Sequence, residues 1–265
     1  MMKLFSGGDL MRRILFVFLM AVFSFQGALS WAEDASEEEA KNIHSQGFVY
    51  FKQGNLDGAI ESYTKAIQMK PDFALAYYNR GLARREKNDL QGELDDYSKA
   101  LEIDPEYARA YYNRGTAREE SGDADGAISD LTKFLEYEAS NADAYYMRGL
   151  AKGEKGDLEG AIADDSMAIQ INPQHTEAYY ARALAKAQKD DLDGAIEDNS
   201  QAIALNSNYA EAYYNRGSNY LKIQKYDAAV ADLEKAAVLN PEFAANVKTA
   251  IDEAKSLQEQ QKEKK

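Results

Sequence analysis

Tyr77-Tyr78-Asn79-Arg80-Gly81 decides how the chain is read, because the same five residues recur as Tyr111-Tyr112-Asn113-Arg114-Gly115 and as Tyr213-Tyr214-Asn215-Arg216-Gly217. Tyr145-Tyr146-Met147-Arg148-Gly149 and Tyr179-Tyr180-Ala181-Arg182-Ala183 fill the intervals, so the leading tyrosines stand at 77, 111, 145, 179 and 213, always 34 residues apart. A constant step of that length marks a stacked repeat whose unit is a pair of helices. The period therefore predicts an elongated solenoid and overrides the one or two compact domains that 265 residues would otherwise suggest.

Counting outward from the tyrosines gives six blocks, 40–73, 74–107, 108–141, 142–175, 176–209 and 210–243, whose residues are numbered here as positions 1 to 34. Position 8 reads Gly47, Gly81, Gly115, Gly149, Ala183 and Gly217. Position 20 reads Ala59, Glu93, Ala127, Ala161, Ala195 and Ala229, and position 27 reads Ala66, Ala100, Phe134, Ala168, Ala202 and Ala236. Small residues at these places let two helices of one repeat cross closely. Pro71, Pro105, Pro173 and Pro241 at position 32 end the second helix. Asn55, Asp89, Asp123, Asp157 and Asp191 stand where that helix needs an N-cap.

With these residues the chain resembles the tetratricopeptide repeat family over 40–243 in one register. The resemblance implies an all-α fold, an α-solenoid of six stacked helix-turn-helix repeats. After Phe243, Val247, Ile251, Ala254 and Leu257 keep helical spacing, so 244–265 is expected to be a capping helix with a frayed polar tail. The departures from the pattern are Glu93 and Phe134 at small positions, Ala139 and Ser207 in place of proline, and Ile43 in place of the first aromatic. Asp165 and Asn199 stand at position 24, where a core side chain is expected, so the fourth and fifth repeats are expected to be the loosest unless both groups find partners.

The N-terminus carries its own pattern. Met11-Arg12-Arg13, an apolar run from Ile14 to Phe25 and Ser30-Trp31-Ala32 form a secretory signal in layout, so 1–32 is expected to be removed, with cleavage after Ala32 or alternatively Ser30. That places the chain in the periplasm or outside the cell. An uncleaved Ile14–Ala32 segment acting as a membrane anchor is the competing reading. Residues 33–39, rich in acid, read as a solvated leader.

Composition narrows the chemistry. With 31 basic and 45 acidic residues the formal net charge is −14, against a nucleic-acid or anionic-membrane binder. There is no cysteine, and the two histidines, His44 and His175, are far apart and read as surface residues. The acidic turns at 123–126 and 191–194 lack a bidentate glutamate twelfth in the loop and are not calcium sites. No phosphate loop, dinucleotide fingerprint or nucleophile elbow is present, so neither enzymatic activity nor a cofactor is expected.

What remains is a binding surface. If the first tyrosine packs inward, the second is turned about 100° from it along the helix. In the family this resembles, that face lines a concave groove, and the resemblance implies a protein or peptide partner laid in it. The candidate ladder is Tyr78, Tyr112, Tyr146, Tyr180 and Tyr214 at position 5, with His44 in the first repeat, and Phe48, Leu82, Leu150 and Leu184 at position 9. Tyrosine suits such a surface because it offers large area with few rotamers to freeze. The alternative is a self-associating solenoid whose tyrosines are consumed in packing.

Charge on this face runs from Lys41, Lys52, Arg85 and Arg109 to Asp143, Glu154, Glu177 and Glu211, with Glu86, Glu119, Glu120 and Lys222 blurring the trend. Members of the family that clamp a chaperone tail use basic and asparagine positions of which Asn79 and Arg109 fit two. His44, Phe48 and Asn113 do not fit, which disfavours that role.

One correlation is internal to the chain. Arg80, Arg114, Arg148, Arg182 and Arg216 occupy position 7, and Asp96, Asp130, Asp164, Asp198 and Asp232 occupy position 23, while the first repeat lacks both, with Gln46 and Ser62. Joint loss predicts that each arginine pairs with the aspartate of its own repeat. Pairing across repeats, or two independent surface preferences copied by duplication, are the alternatives.

Overall fold

The computed structural model describes residues 35–263, so the export segment expected at 1–32 lies outside the described residues. The chain divides into two compact units, Met1–Tyr107 and Ala108–Lys265, taken here separately. The first unit holds α1 (35–52), α2 (Leu56–Met69), α3 (Ala74–Glu86) and α4 (Leu90–Ile103). The second holds α5 (Ala108–Glu120), α6 (Ala124–Tyr137), α7 (Ala142–Glu154), α8 (Leu158–Ile171), α9 (Thr176–Gln188), α10 (Leu192–Leu205), α11 (Ala210–Lys222) and α12 (Tyr226–Leu239). A 3₁₀ turn, Pro241–Phe243, then leads into α13 (Ala244–Glu263). Every regular element among the described residues is helical, and within each unit the helix pairs stack as in an α-solenoid.

The turn inside each repeat is built on one backbone conformation. Position 15 lies in the left-handed region in all six repeats, as Gly54, Gly122 and Gly156 (φ 75°, 80° and 79°) and as Asn88, Asp190 and Gln224 (φ 59°, 65° and 61°). The next amide returns to the carbonyl five residues back, as Asn55 does to Tyr50 and Asp157 to Lys152, both at 2.9 Å, closing a carbonyl that the helix end leaves open. The residue carrying that amide then caps the second helix. Asn55, Asp89, Asp123, Asp157 and Asp191 accept the amide of a glycine three residues ahead at 2.9–3.1 Å. A Cβ on Gly126 would lie 2.1 Å from the Asp123 carboxylate, so cap and glycine require one another.

Second helices end at Met69, Ile103, Ile171 and Leu239, two residues before a proline. α6 and α10 end at the matching Tyr137 and Leu205 although Ala139 and Ser207 follow, so the proline reinforces a stop that the backbone already makes. The expected frayed tail is helical as far as Glu263, with Val247 and Ala254 buried and Lys255 paired to Glu234 of α12 at 3.1 Å.

Packing within a repeat turns on positions 8 and 24. Tyr63, Tyr97, Leu131 and Leu233 are almost wholly buried, and each lies against the glycine of its own first helix. A Cβ added to Gly47, Gly81, Gly115 or Gly217 would meet that side chain at 2.6–3.0 Å. Glycine is required there because two helices and a large side chain share one gap.

The arginine–aspartate pairs form within repeats. In the first unit Arg80 of α3 donates from Nε and Nη2 to both carboxylate oxygens of Asp96 on α4, at 3.0 and 2.7 Å. In the second unit Arg114–Asp130, Arg148–Asp164, Arg182–Asp198 and Arg216–Asp232 repeat this fork at 2.6–2.9 Å. The aspartates are buried. A second cation from position 11 reaches four of them: Arg84 to Asp96 at 2.9 Å, Arg118 to Asp130 at 2.8 Å, and Lys152 and Lys186 to Asp164 and Asp198 at 2.7 Å. The free Nη1 of Arg80, Arg148, Arg182 and Arg216 donates to a hydroxyl of the preceding repeat, on Thr64, Thr132, Ser166 and Ser200, at 3.0–3.1 Å. Each guanidinium also lies over the leading tyrosine of its own repeat.

Breaking one partner of such a pair strands a buried charge and costs about 3 kcal/mol or more. In a double-mutant cycle by urea unfolding, Arg148→Met and Asp164→Asn should couple by about 2 kcal/mol. Arg148→Met with Asp130→Asn should show coupling near zero. Equal coupling in both cycles would overturn the within-repeat assignment.

Candidate functional site

The second tyrosines are neither free nor fully absorbed in the core. In the first unit Tyr78 is buried, with ring centroids 5.8 Å from Tyr97 and 4.8 Å from Tyr107. In the second unit Tyr112, Tyr146, Tyr180 and Tyr214 are half-buried. Each lies against one ring of its own repeat, Phe134, His175, Tyr209 and Phe243 respectively, at 4.9–5.2 Å. Three of those rings, like Tyr107, occupy position 34, just before the next helix. The third repeat has Asn141 there, and Phe134, the misfit at position 27, supplies the ring instead from the adjacent helix. Asn141 caps α7 by accepting the Ala144 amide at 2.8 Å.

Both histidines belong to this system, and the expectation of surface histidines is corrected: His44 and His175 are buried. His44 fills position 5 of the first repeat, lying between Tyr63 and Phe73 with the rings tilted by 43° and 45°, and with Nε2 2.8 Å from Nδ2 of Asn79. Burial lowers its pKa, which suits the neutral ring as an acceptor. His175 occupies position 34, and its Nδ1 accepts the Ala178 amide at 3.3 Å, capping α9. An aromatic ring is wanted at each place for stacking, and histidine serves.

The position 9 candidates differ in exposure. Phe48 is exposed, while Leu82, Leu150 and Leu184 are half-buried; Arg109 is exposed. Asn215 of α11 donates to the Tyr180 hydroxyl at 2.9 Å, tying one repeat's second tyrosine to the next helix.

Acid gathers around the tyrosines of the second unit. Burial pushes the Tyr146 phenol up to about 12, and the charges of Asp165, Glu177 and Glu119 add to it. Tyr180 is raised by burial and by Glu211, against the opposing hydrogen bond from Asn215. Glu119 is itself raised, by burial first and then by Glu154 and Glu120. Glu119 and Glu177 thus lie close enough to act on the Tyr146 phenol, and Glu211 on that of Tyr180.

Two polar residues occupy position 24. Asn199, opposite Ala183, donates from Nδ2 to the Ala195 carbonyl at 2.9 Å. Asp165, opposite Gly149, is 1% exposed, and neither carboxyl oxygen has a hydrogen-bond partner. Burial, with Asp164 and Asp198 adding to it and Arg182 opposing, pushes its pKa up to about 8. It lines a cavity of about 280 Å³ among α7, α8 and α9. Among the described residues no three His, Asp or Glu side chains converge as a metal site, and no helix is long and apolar enough to cross a membrane.

Family models agree with this architecture. Models described as TPR repeat match 47–88 and 81–122, and models described as tetratricopeptide repeat match 112–176 and 210–243. The chain belongs to the tetratricopeptide repeat family. Between the matched stretches lies the fifth repeat, with Ala183, Asn199 and Ser207 at three of the pattern positions. No curated protein sequence matches the chain.

Among solved structures, YrrB, titled a TPR protein with an unusual peptide-binding site, is 28% identical with a TM-score of 0.62, covering 72% of this chain and 100% of its own. MamA is 28% identical with a TM-score of 0.60, covering 65% of this chain and 94% of its own. A tetratricopeptide repeat protein from Parabacteroides merdae ATCC 43184, 21% identical with a TM-score of 0.66 and covering 84% of this chain and 90% of its own, shares the fold.

The raised Asp165 pKa has a stability consequence whose sign follows from linkage. Below about pH 4 folded and unfolded chains both hold the proton; from there to about 8 the unfolded chain releases it and the folded chain keeps it. Stability relative to Asp165→Asn should therefore fall as pH rises through that window and level off above it. Parallel urea melts across pH 4 to 9 check this, and a pH-independent difference would show that the carboxyl is not desolvated.

Proposed function

We propose that the protein is a non-enzymatic scaffold that holds a peptide or protein segment against the tyrosine-lined face of its C-terminal unit. The observation that carries this reading is the acid-rich, half-buried series Tyr112, Tyr146, Tyr180 and Tyr214. Rings braced by a neighbouring ring lose little freedom when a partner lands on them, so their contact area converts into affinity efficiently. Surrounding carboxylates favour a segment carrying positive charge. Peptide binding by YrrB supports the same use of the fold here. Leu150 and Leu184, half-buried beside the tyrosines, add apolar contact for an extended segment or an amphipathic helix.

Because stacking makes alanine at these tyrosines a packing change as well, the test uses gentler substitutions. Tyr146→Phe combined with Glu177→Lys should weaken a co-purified partner by about tenfold or more while melting moves by only a few degrees. Unchanged partner binding, or sedimentation showing the face covered by a second copy of the chain, would overturn the reading.

The export signal over Arg12 to Ala32 supports action in the periplasm or outside the cell. N-terminal sequencing of the exported fraction should give a chain beginning at Glu33. A full-length protein retained in the cytosol would overturn export, and a full-length protein in the membrane fraction would show the segment kept as an anchor.

A further inference from the structure

The cavity beside Asp165 arises from one coincidence along the chain. In the first, second, third and sixth repeats a tyrosine or leucine at position 24 fills the gap over the glycine at position 8. In the fifth, the Ala183 methyl occupies part of that gap and Asn199 bonds a backbone carbonyl through Nδ2, its neutral Oδ1 staying unpaired. The fourth alone combines the glycine with a short side chain. Asp165 Oδ1 lies where a Cβ on Gly149 would be 2.9 Å away, and the volume that a leucine would take stays open. Its walls are Leu150, Leu158 and Leu184, and the exposed Glu154 and Gln188 also line it.

An unpartnered buried carboxyl on apolar walls is costly for folding. Of the nearby cations, Arg182 offsets part of that cost through its charge, without a hydrogen bond. Arg148 and Lys152 are bound to Asp164, and Arg182 and Lys186 to Asp198. A cation in direct contact with the ionised Asp165 would therefore have to come from a bound molecule.

We propose that this cavity is a binding site for a primary alkylammonium group, whose unbranched stem lies along Leu150, Leu158 and Leu184 and whose charged end meets the Asp165 carboxylate. The stem accounts for the apolar walls, and the Asp165 carboxyl, whose oxygens lie just beneath the cavity wall, turns to the ammonium as the polar end. A point-like ammonium matches a single carboxylate in a narrow pocket better than a planar guanidinium does. Glu154 would add attraction on entry. The group could be carried by a lysine side chain, in which case the site rests on the partner-segment reading above and names the residue that segment must present, or by a free aliphatic amine. Binding displaces the proton that Asp165 holds near neutrality, so affinity should rise with pH toward about 8. Asp164 on α8, Arg182 on α9 and Asp198 on α10 act on Asp165 through their charge, Asp165 acts likewise on Tyr146 of α7, Glu154 on α7 lines the same cavity, and Arg148, Lys152 and Lys186 are held by Asp164 and Asp198.

The test uses n-butylammonium as the probe on the whole chain, with the Asp165 carboxyl followed by carbon NMR. At about ten times its Kd the probe should lower the Asp165 titration midpoint by about one unit, and n-butanol should not. Asp165→Asn, which keeps the shape and removes the charge, should weaken the probe by about tenfold or more. Asp165→Leu should abolish binding and raise the melting temperature by filling the cavity. Butylammonium binding equally to wild type and Asp165→Asn, or n-butanol binding as well as butylammonium, would overturn the site.

Two further arms separate the sources. Lysine capped as N-acetyl-lysine methylamide, binding as well as 1,5-diaminopentane, assigns the site to a side chain of a partner; diaminopentane binding far more tightly assigns it to a free amine. Although Leu150 and Leu184 border both the cavity and the tyrosines, butylammonium is read at the Asp165 carboxyl itself, so it tests the cavity even if Tyr146→Phe with Glu177→Lys leaves a protein partner unaffected.

Discussion

The fork between position 7 and position 23 is the interaction on which the repeats depend. A carboxylate at a helix crossing, with almost no exposure, is tolerable only if both oxygens are engaged, and the arginine engages both. Arginine is needed because its planar head presents Nε and Nη2 to the carboxylate and still leaves Nη1 for the hydroxyl of the preceding repeat. One side chain thus fixes the crossing of its own two helices and the register of the repeat before it. The leading tyrosine underneath covers the guanidinium, and the position 11 cation balances the remaining charge. A buried pair of this kind does little for net stability compared with an apolar contact of equal volume. What it supplies is a penalty for every other register, since a slipped helix would strand one charge.

Around that frame, volume is exchanged between positions instead of being conserved at each. Phe134 looks like an error at a small-residue position until Asn141 is seen to lack the ring that the other repeats carry at position 34. One phenylalanine then does the stacking while the asparagine gains an N-cap. Gly and a large side chain at positions 8 and 24 are complementary in the same way, and Ala183 with Asn199 is a second solution. Because each solution closes within a repeat, a departure at one place need not propagate along the stack.

This explains which features could be read from residues alone. The register, the turn caps and the arginine–aspartate pairing were legible because each leaves a mark that recurs every 34 residues, and the first repeat lacks the arginine and the aspartate together, carrying Gln46 and Ser62, as a pair should. The hydroxyl series Thr64, Thr132, Ser166 and Ser200 and the cations Arg84, Arg118, Lys152 and Lys186 were equally periodic. Their meaning needed the geometry of the guanidinium to show that it had an arm left over and a carboxylate with room for a second donor. The register puts His44 in the tyrosine slot at position 5, but its burial, and the ring role of His175 at position 34, follow only from the rings packed around them. The half-burial of the second tyrosines depended on position 34, where Phe, Tyr and His share only their aromaticity, a weaker signal than identity. The cavity was out of reach for a different reason: it is an absence of volume at one pair of positions on two helices, and only Asp165 pointed toward it.

Asp165 also shows what a repeat architecture permits. In a globule with one core, an unpaired buried acid would weaken the cooperative unit as a whole. In a stack whose energies are sums of each repeat and its neighbours, the cost stays with the repeat that carries it. The fourth repeat keeps its fork, its turn cap and its stacked ring, so the helices that bound the cavity are held by contacts that do not involve Asp165. A pocket whose walls are held by contacts independent of Asp165 can admit a ligand at the cost of a proton lost and a small turn of one carboxyl group, without rebuilding the repeat. A stack can therefore keep at the fourth repeat a residue that stability alone would replace with leucine.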